Sequence, residues 1–375
     1  MEDNPLLKLR TRGQSIWLDD INRRMMTDGS LAKLIANDGL AGMTSNPAIF
    51  AAAITSNAEY APLVAQLLPR MSRSAELYEA IVIDDIGRAA DLFLPLYQRT
   101  QGADGFVSLE VSPHLANDTD ASVAEGQRLW ARLERPNVMI KIPGTRAGLP
   151  AIQRLIAAGV NVNITLLFSP ERYRAVAEAH LAGLEERVAK GAQIRGVASV
   201  ASFFLSRIDT LVDSELDEHA GQGRGEAQSL RGRAATACAV QAYEIFKSVT
   251  SSARWRAVVQ RGARPQRLLW ASTSTKDARY SDVKYVEDLI AAETVNTLPP
   301  ATLAAFRDHG KVGAGLSAMT AETPRVLREL ATLGINLETV ATQLEEEGVR
   351  KFVEPFDQLQ QWLDQRRGSG NTAQR

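Results

Sequence analysis

Residues 138–168 read VMIKIPGTRAGLPAIQRLIAAGVNVNITLLF, and the fold is decided in this stretch. It opens on Val138–Ile142, apolar at every position but Lys141 as strands buried on both faces are, and closes on a second strand candidate, Val160–Phe168, which ends in Leu166-Leu167-Phe168. Between them, apolar residues recur at helical spacing from Leu149 to Ile156. Strand, helix, strand is one βαβ unit, and the same alternation continues outward in both directions. It gives further candidate strands at Ser15–Asp20, Gly42–Ser45, Gly105–Val111, Gly196–Phe204, Arg267–Ser272 and Thr294–Thr297. Eight strands with intervening helices predict an α/β fold, a (β/α)8 TIM barrel with additional helices and insertions.

The segments between strands carry recognisable helix ends. Ser169-Pro170-Glu171 supplies an N-cap, a first-turn proline and an early acid ahead of Tyr173, Val176, Leu181 and Leu184, so a helix of about five turns is expected there. Similar spacing appears at Leu31, Leu34 and Ile35, at Leu77 to Leu94, and at Ala239 to Phe246. The polar, Gly-rich stretch His219–Arg233 reads as an exposed connection between the sixth strand and its helix. With 375 residues the chain could hold two or three domains at roughly 150 residues each. One barrel with insertions fits as well, and the expected organisation is a single domain over residues 1–367, with N- and C-terminal helical additions and a disordered tail at 368–375.

Composition narrows the function. Forty-three Lys plus Arg stand against 44 Asp plus Glu, a net charge of −1, which offers no basic field for a nucleic-acid backbone. Small molecules are the expected partners, with no nucleic acid, no membrane, and a monomer or homodimer as the assembly. A single cysteine, Cys238, excludes an intrachain disulfide and any Cys-based zinc or iron–sulfur site within one chain. The Met-Glu-Asp-Asn-Pro start has neither a basic nor an apolar leader, and no run approaches about 18 apolar residues, so a cytoplasmic location is expected. Gly313–Ala318 matches a dinucleotide fingerprint but follows no strand, and His114, His180, His219 and His309 lack metal-ligand spacing. No metal and no cofactor are expected.

What remains is a set of polar residues inside apolar strands, where a charge must be compensated. Lys141 is the sharpest, flanked by Ile140 and Ile142. Desolvation disfavours an ammonium, and a free amine attacks carbonyls; the competing reading is a lysine in a structural ion pair. Asp19 ends the first strand and Glu110 lies in the third, placed to act as proton carriers around Lys141 or simply to neutralise it. Asn46, Asn163, Thr165 and Ser202 add neutral hydrogen-bonding groups suited to a polyhydroxylated substrate. Arg207, Ser272 and Lys276 follow the sixth and seventh strands, where barrels often hold a phosphate.

Taken together, SIWLDDI, GMTSNPAIF, VSLEVSP, NVMIKIPGT, GVNVNITLLFS, SFFLSRID and LLWASTSTKD resemble the transaldolase family, class I Schiff-base aldolases of the pentose phosphate pathway. The blocks run in the family's order from about residue 15 to 300, with helical sequence consistent with the family continuing to about 365. The resemblance implies transfer of a dihydroxyacetone unit between sedoheptulose 7-phosphate or fructose 6-phosphate and erythrose 4-phosphate or glyceraldehyde 3-phosphate, without metal or organic cofactor. It implies that Lys141 forms the Schiff base, that Asp19 takes the C4 hydroxyl proton, and that Glu110 works through a water positioned by Thr165. Asn46, Asn163 and Ser202 would hold the dihydroxyacetone moiety, and Arg207 the phosphate. Ser274 stands where short members carry a second phosphate-binding arginine, with Lys276 as its candidate replacement. The extra length near Pro62–Glu79, His219–Arg233 and the C-terminal helices is similar to the longer bacterial type. Fructose-6-phosphate aldolases have a glutamine in place of Glu110 and a tyrosine in place of Phe204, so both residues favour transfer over free cleavage. A sugar-phosphate sensor on the same barrel and fructose-6-phosphate aldolase-like cleavage are the remaining alternatives.

Overall fold

Eight parallel strands close into a barrel in sequence order: β1 (Gln14–Asp19), β2 (Gly42–Thr44), β3 (Phe106–Glu110), β4 (Val138–Pro143), β5 (Val162–Leu167), β6 (Ser199–Phe204), β7 (Arg267–Ala271) and β8 (Thr294–Leu298). The computed structural model describes residues 4–372, the last five as backbone only. All eight expected strands are present, with several ends where expected and the others moved by a few residues at most. Closure pairs β1 with β8 and leaves no sheet edge exposed.

The register decides which polar residues meet. Glu110 is the partner of Lys141, and Lys141 the partner of Asn163, across β3, β4 and β5. In a parallel ladder, partners point to the same face, so these three side chains stand at one level inside the barrel. Asp19 and Thr44 are partnered in the same way across β1 and β2. Beyond Ile164 the register of β5 against β6 shifts, and Leu166 takes φ +62°, a conformation that a branched side chain seldom adopts. Gly42 is required in β2, because a Cβ there would lie 2.6 Å from the Trp17 ring and 2.7 Å from the Phe106 carbonyl oxygen.

Helices clothe the barrel with ends that follow local chemistry. The Ser169 hydroxyl accepts the Arg172 N–H at 3.0 Å and starts the Pro170–Ala189 helix, as its sequence predicts. One expectation needs correction. The helix after β6 starts at once, at Ser206, and runs to Gly221, so His219–Arg233 does not separate strand from helix. It joins that helix to the next, Ala234–Ser251, through a short 3-10 turn with Ala227 and Leu230 buried. Arg231 is held there between Asp213 and Asp277, so part of a stretch that looked solvated is anchored. Gly313–Gly315 follows the Pro300–His309 helix, not a strand, and Gly315 turns left-handed against the Ile290 carbonyl.

A final helix, Leu337–Thr372, extends into the segment expected as a tail; residues 373–375 lie outside the described residues. It packs on the Pro47–Ser56, Ser74–Arg99 and Ser206–Gly221 helices and on β5, which brings it across the C-terminal mouth of the barrel. Among the described residues no helix is long and apolar enough to cross a membrane.

Candidate active site

Lys141 enters the barrel from β4 and is 3% exposed. Its Nζ donates to the Ser45 carbonyl oxygen at 3.0 Å and lies 3.4 Å from Glu110 Oε2. The second distance is that of an ion pair rather than a well-formed hydrogen bond, and both Glu110 oxygens are buried without a hydrogen-bond partner. Burial pushes the Glu110 carboxyl up to about 7, opposed by Lys141 and aided by the negative charge of Asp19. The 3.4 Å separation and the raised carboxyl pKa fit both expectations for Glu110, an ion-pair partner of Lys141 and a carrier of protons.

Asp19 approaches from the end of β1. Thr44 donates to its Oδ1 at 2.7 Å and stands 2.7 Å from the Thr297 hydroxyl. Asp19 remains partly open to solvent, yet loss of hydration raises its pKa more than Lys141, the Thr44 hydrogen bond and Arg207 lower it. Two carboxyls and an amine therefore share one electrostatic environment, with a neutral polar wall beside them. Asn163 donates to Ser108 Oγ at 3.0 Å and accepts from Ser202 at 2.7 Å, all three buried. Thr165, fully buried, keeps its hydroxyl without a partner.

Asn46 also serves the structure, because its Oδ1 caps the Pro47–Ser56 helix through the Ile49 N–H at 3.0 Å. Arg207 opens the helix after β6, with its guanidinium carbon 5.6 Å from the centre of the Phe204 ring and its Nη1 buried without an acceptor. Burial lowers its pKa against the pull of Glu347 and Asp19. Ser272, left-handed at φ +54°, sits 2.9 Å from the Ser206 hydroxyl, and its carbonyl accepts the Ser206 N–H at 3.0 Å. It ties the end of β7 to the start of the helix that carries Arg207. Lys276 is not brought into this group: it is exposed, donates to Ser274 at 2.8 Å, and borders a depression lined by Asp209, Asp213, Asp217 and Asp277.

Several contributors escaped the sequence reading. Thr44 and Ser45 lie inside the GMTSNPAIF block, and Ser108 sits two residues before Glu110 on the same face of β3, so strand alternation could have found it. Phe352 had no local signal; its ring centre is 5.6 Å from Lys141 Nζ because the last helix folds back over the mouth. A cavity of about 650 Å³ runs beside β3, lined by Leu109, Glu110 and Val111 and by Tyr78 and Phe356, but not by Lys141.

Comparison with known proteins agrees with this geometry. The family model described as transaldolase/fructose-6-phosphate aldolase matches residues 16–363. A transaldolase of Thiobacillus denitrificans is 48% identical over 347 residues, covering 92% of this chain and 96% of the relative. One from Trichodesmium erythraeum is 44% identical over 373 residues, covering 98% of each, and one from Saccharopolyspora erythraea is 47% identical over 354 residues, covering 94% and 95%. The chain belongs to the transaldolase/fructose-6-phosphate aldolase family.

Proposed function

We propose that the chain is a transaldolase of the non-oxidative pentose phosphate pathway, moving a dihydroxyacetone unit from a ketose phosphate to an aldose phosphate through a Schiff base on Lys141. The observation that carries this reading is Lys141 buried on β4 with Glu110 at 3.4 Å and Asp19 in the same field. The neutral amine attacks the ketose carbonyl, and the carbinolamine loses water to give a protonated imine. Glu110 moves the protons of these steps through a water beside Thr165. Asp19 takes the C4 hydroxyl proton, the C3–C4 bond breaks, and its electrons flow into the imine to leave an enamine on Lys141. The aldose phosphate departs, the acceptor aldehyde takes its place, and the sequence runs in reverse.

Asn163 and Ser202 are already oriented on one another and so present a fixed wall to the substrate hydroxyls, with Asn46 at the rim. Arg207, which rests on Phe204 with Nη1 lacking an acceptor, is the phosphate ligand, and Ser272 holds its helix in place. Relatives named transaldolase along nearly the whole chain support transfer over simple cleavage.

A coupled assay separates the alternatives. With fructose 6-phosphate and erythrose 4-phosphate, sedoheptulose 7-phosphate should form while little free dihydroxyacetone appears. Free dihydroxyacetone released from fructose 6-phosphate alone as fast as transfer would replace the reading with aldolase-type cleavage. Binding of fructose 6-phosphate by calorimetry with neither product formed would make the chain a sensor.

A further inference from the structure

Glu345, Gly348, Phe352 and Phe356 on the last helix are three and then four residues apart, which places them on one stripe. Each meets a different part of the mouth. Glu345 pairs with Arg172 at 2.9 Å, Phe352 faces Lys141, and Phe356 sets its ring edge-on to Tyr78 at 5.3 Å. Gly348 is the exception, with no side chain at the closest approach. A Cβ there would lie 2.8 Å from Leu166 Cδ2 and 3.7 Å from Arg207 Nη1.

Leu166 is the crowded neighbour and has little room to retreat, whereas Arg207 lies at an ordinary contact distance. Leu166 is 1% exposed and sits at φ +62° where β5 loses register with β6, directly after Thr165. Arg207 is backed by the Phe204 ring. Glycine in a helix interior is less favourable than alanine, so helix stability argues against glycine here. The close approach argues for it.

We propose that Gly348 is a positioning residue for Arg207. By leaving no side chain, it lets the last helix close on Leu166 and confines the guanidinium between that helix and the Phe204 ring, with Nη1 presented to the substrate phosphate. The selectivity of the site for phosphorylated over unphosphorylated sugars then depends on a residue that touches neither. This inference rests on the assignment of Arg207 as the phosphate ligand.

Gly348→Ala and Gly348→Leu test it in steady-state transfer with two substrate pairs, fructose 6-phosphate with erythrose 4-phosphate and unphosphorylated fructose with erythrose. Gly348→Ala should raise KM for the phosphorylated pair about threefold and Gly348→Leu about tenfold or more, with kcat/KM for the unphosphorylated pair held within about twofold. Adding Gly348→Leu to Arg207→Ala should cause no further loss on the phosphorylated pair. Equal losses on both pairs, or an unchanged KM in both variants, would overturn the proposal. If Arg207→Ala alone leaves KM for the phosphorylated pair unchanged, the phosphate assignment fails and takes the proposal with it. If that variant raises KM and the Gly348 variants do not, only the role of Gly348 is lost. Alanine favours the helix, so Gly348→Ala carries the test even where Gly348→Leu fails to fold.

Discussion

Arg267 and Arg207 occupy opposite ends of one barrel and are treated in opposite ways. At the N-terminal pole, Arg267 gives Nη1 to Asp104 at 3.0 Å and Nη2 to the Ser15 hydroxyl and the Thr294 carbonyl, each at 2.6 Å. Asn161 nearby donates to the Pro136 and Val138 carbonyls and accepts the Ala198 N–H, stitching β4, β5 and β6 together. At the C-terminal mouth, Arg207 Nη1, Thr165 Oγ1 and both Glu110 oxygens are buried without a hydrogen-bond partner. A buried polar group without a partner costs about 1–3 kcal/mol; at the pole that cost falls on single atoms of side chains otherwise bonded, such as Arg267 Nε and Gln266 Oε1, and at the mouth on both oxygens of Glu110 and on the Thr165 hydroxyl. The contrast teaches where each polar residue does its work: the pole holds the barrel together, and the mouth is arranged for a ligand.

Substitutions at the two ends should therefore separate activity from stability. The largest effect is expected for Lys141→Ala, which removes the nucleophile and should lower transfer roughly 10³-fold or more while far-ultraviolet circular dichroism stays unchanged. Arg207→Ala should raise KM for phosphorylated substrates about 10- to 100-fold with a smaller change in kcat and little change in unfolding midpoint. Arg267→Ala should do the reverse, destabilising the fold by about 2–3 kcal/mol in denaturant titrations and leaving kcat of the folded enzyme near wild type. A large activity loss in Arg267→Ala without destabilisation would break the comparison.

Glu110 sharpens it through pH. Its carboxyl holds a proton up to about 7 in the folded chain, against an ordinary value of 4.5. The folded state therefore binds more protons than the unfolded one across that window, and stability falls as pH rises through it. Denaturant titrations between these two values should show a steeper fall in wild type than in Glu110→Gln. The ionised form is the one that accepts a proton from water, so kcat/KM should rise through about pH 7 in wild type and lose that limb in Glu110→Gln. The smallest effect is expected for Lys276→Ala, exposed and bonded to Ser274, with KM changed by less than about twofold. A tenfold rise would return Lys276 to the phosphate site.

Most of this contrast can be read from the sequence, though unevenly. The barrel is legible because buried parallel strands are apolar runs and the βα alternation is regular, and Lys141, Glu110 and Asp19 stand out because charge inside such runs needs a reason. Register is less visible: nothing local in FVSLE or VMIKIP says that Glu110 falls beside Lys141 rather than one step away. Asn46 and Ser272 show the limit from another side, since one side chain caps a helix and the other braces one. The hidden part is long-range. Phe352 lies far along the chain from Lys141, and Gly348 far from Leu166 and Arg207, and they meet only because the last helix crosses the mouth, a contact that no spacing rule encodes. Arg231 was obscured for a similar reason, its acidic partners lying on separate segments.

The central claim is that Lys141 forms the covalent bond to substrate. Borohydride reduction in the presence of fructose 6-phosphate, followed by proteolysis and mass spectrometry, tests it most directly. One reduced three-carbon adduct is expected, located on Lys141 and absent from Lys141→Ala. Full transfer activity in Lys141→Ala, or an adduct on a different lysine, would contradict it.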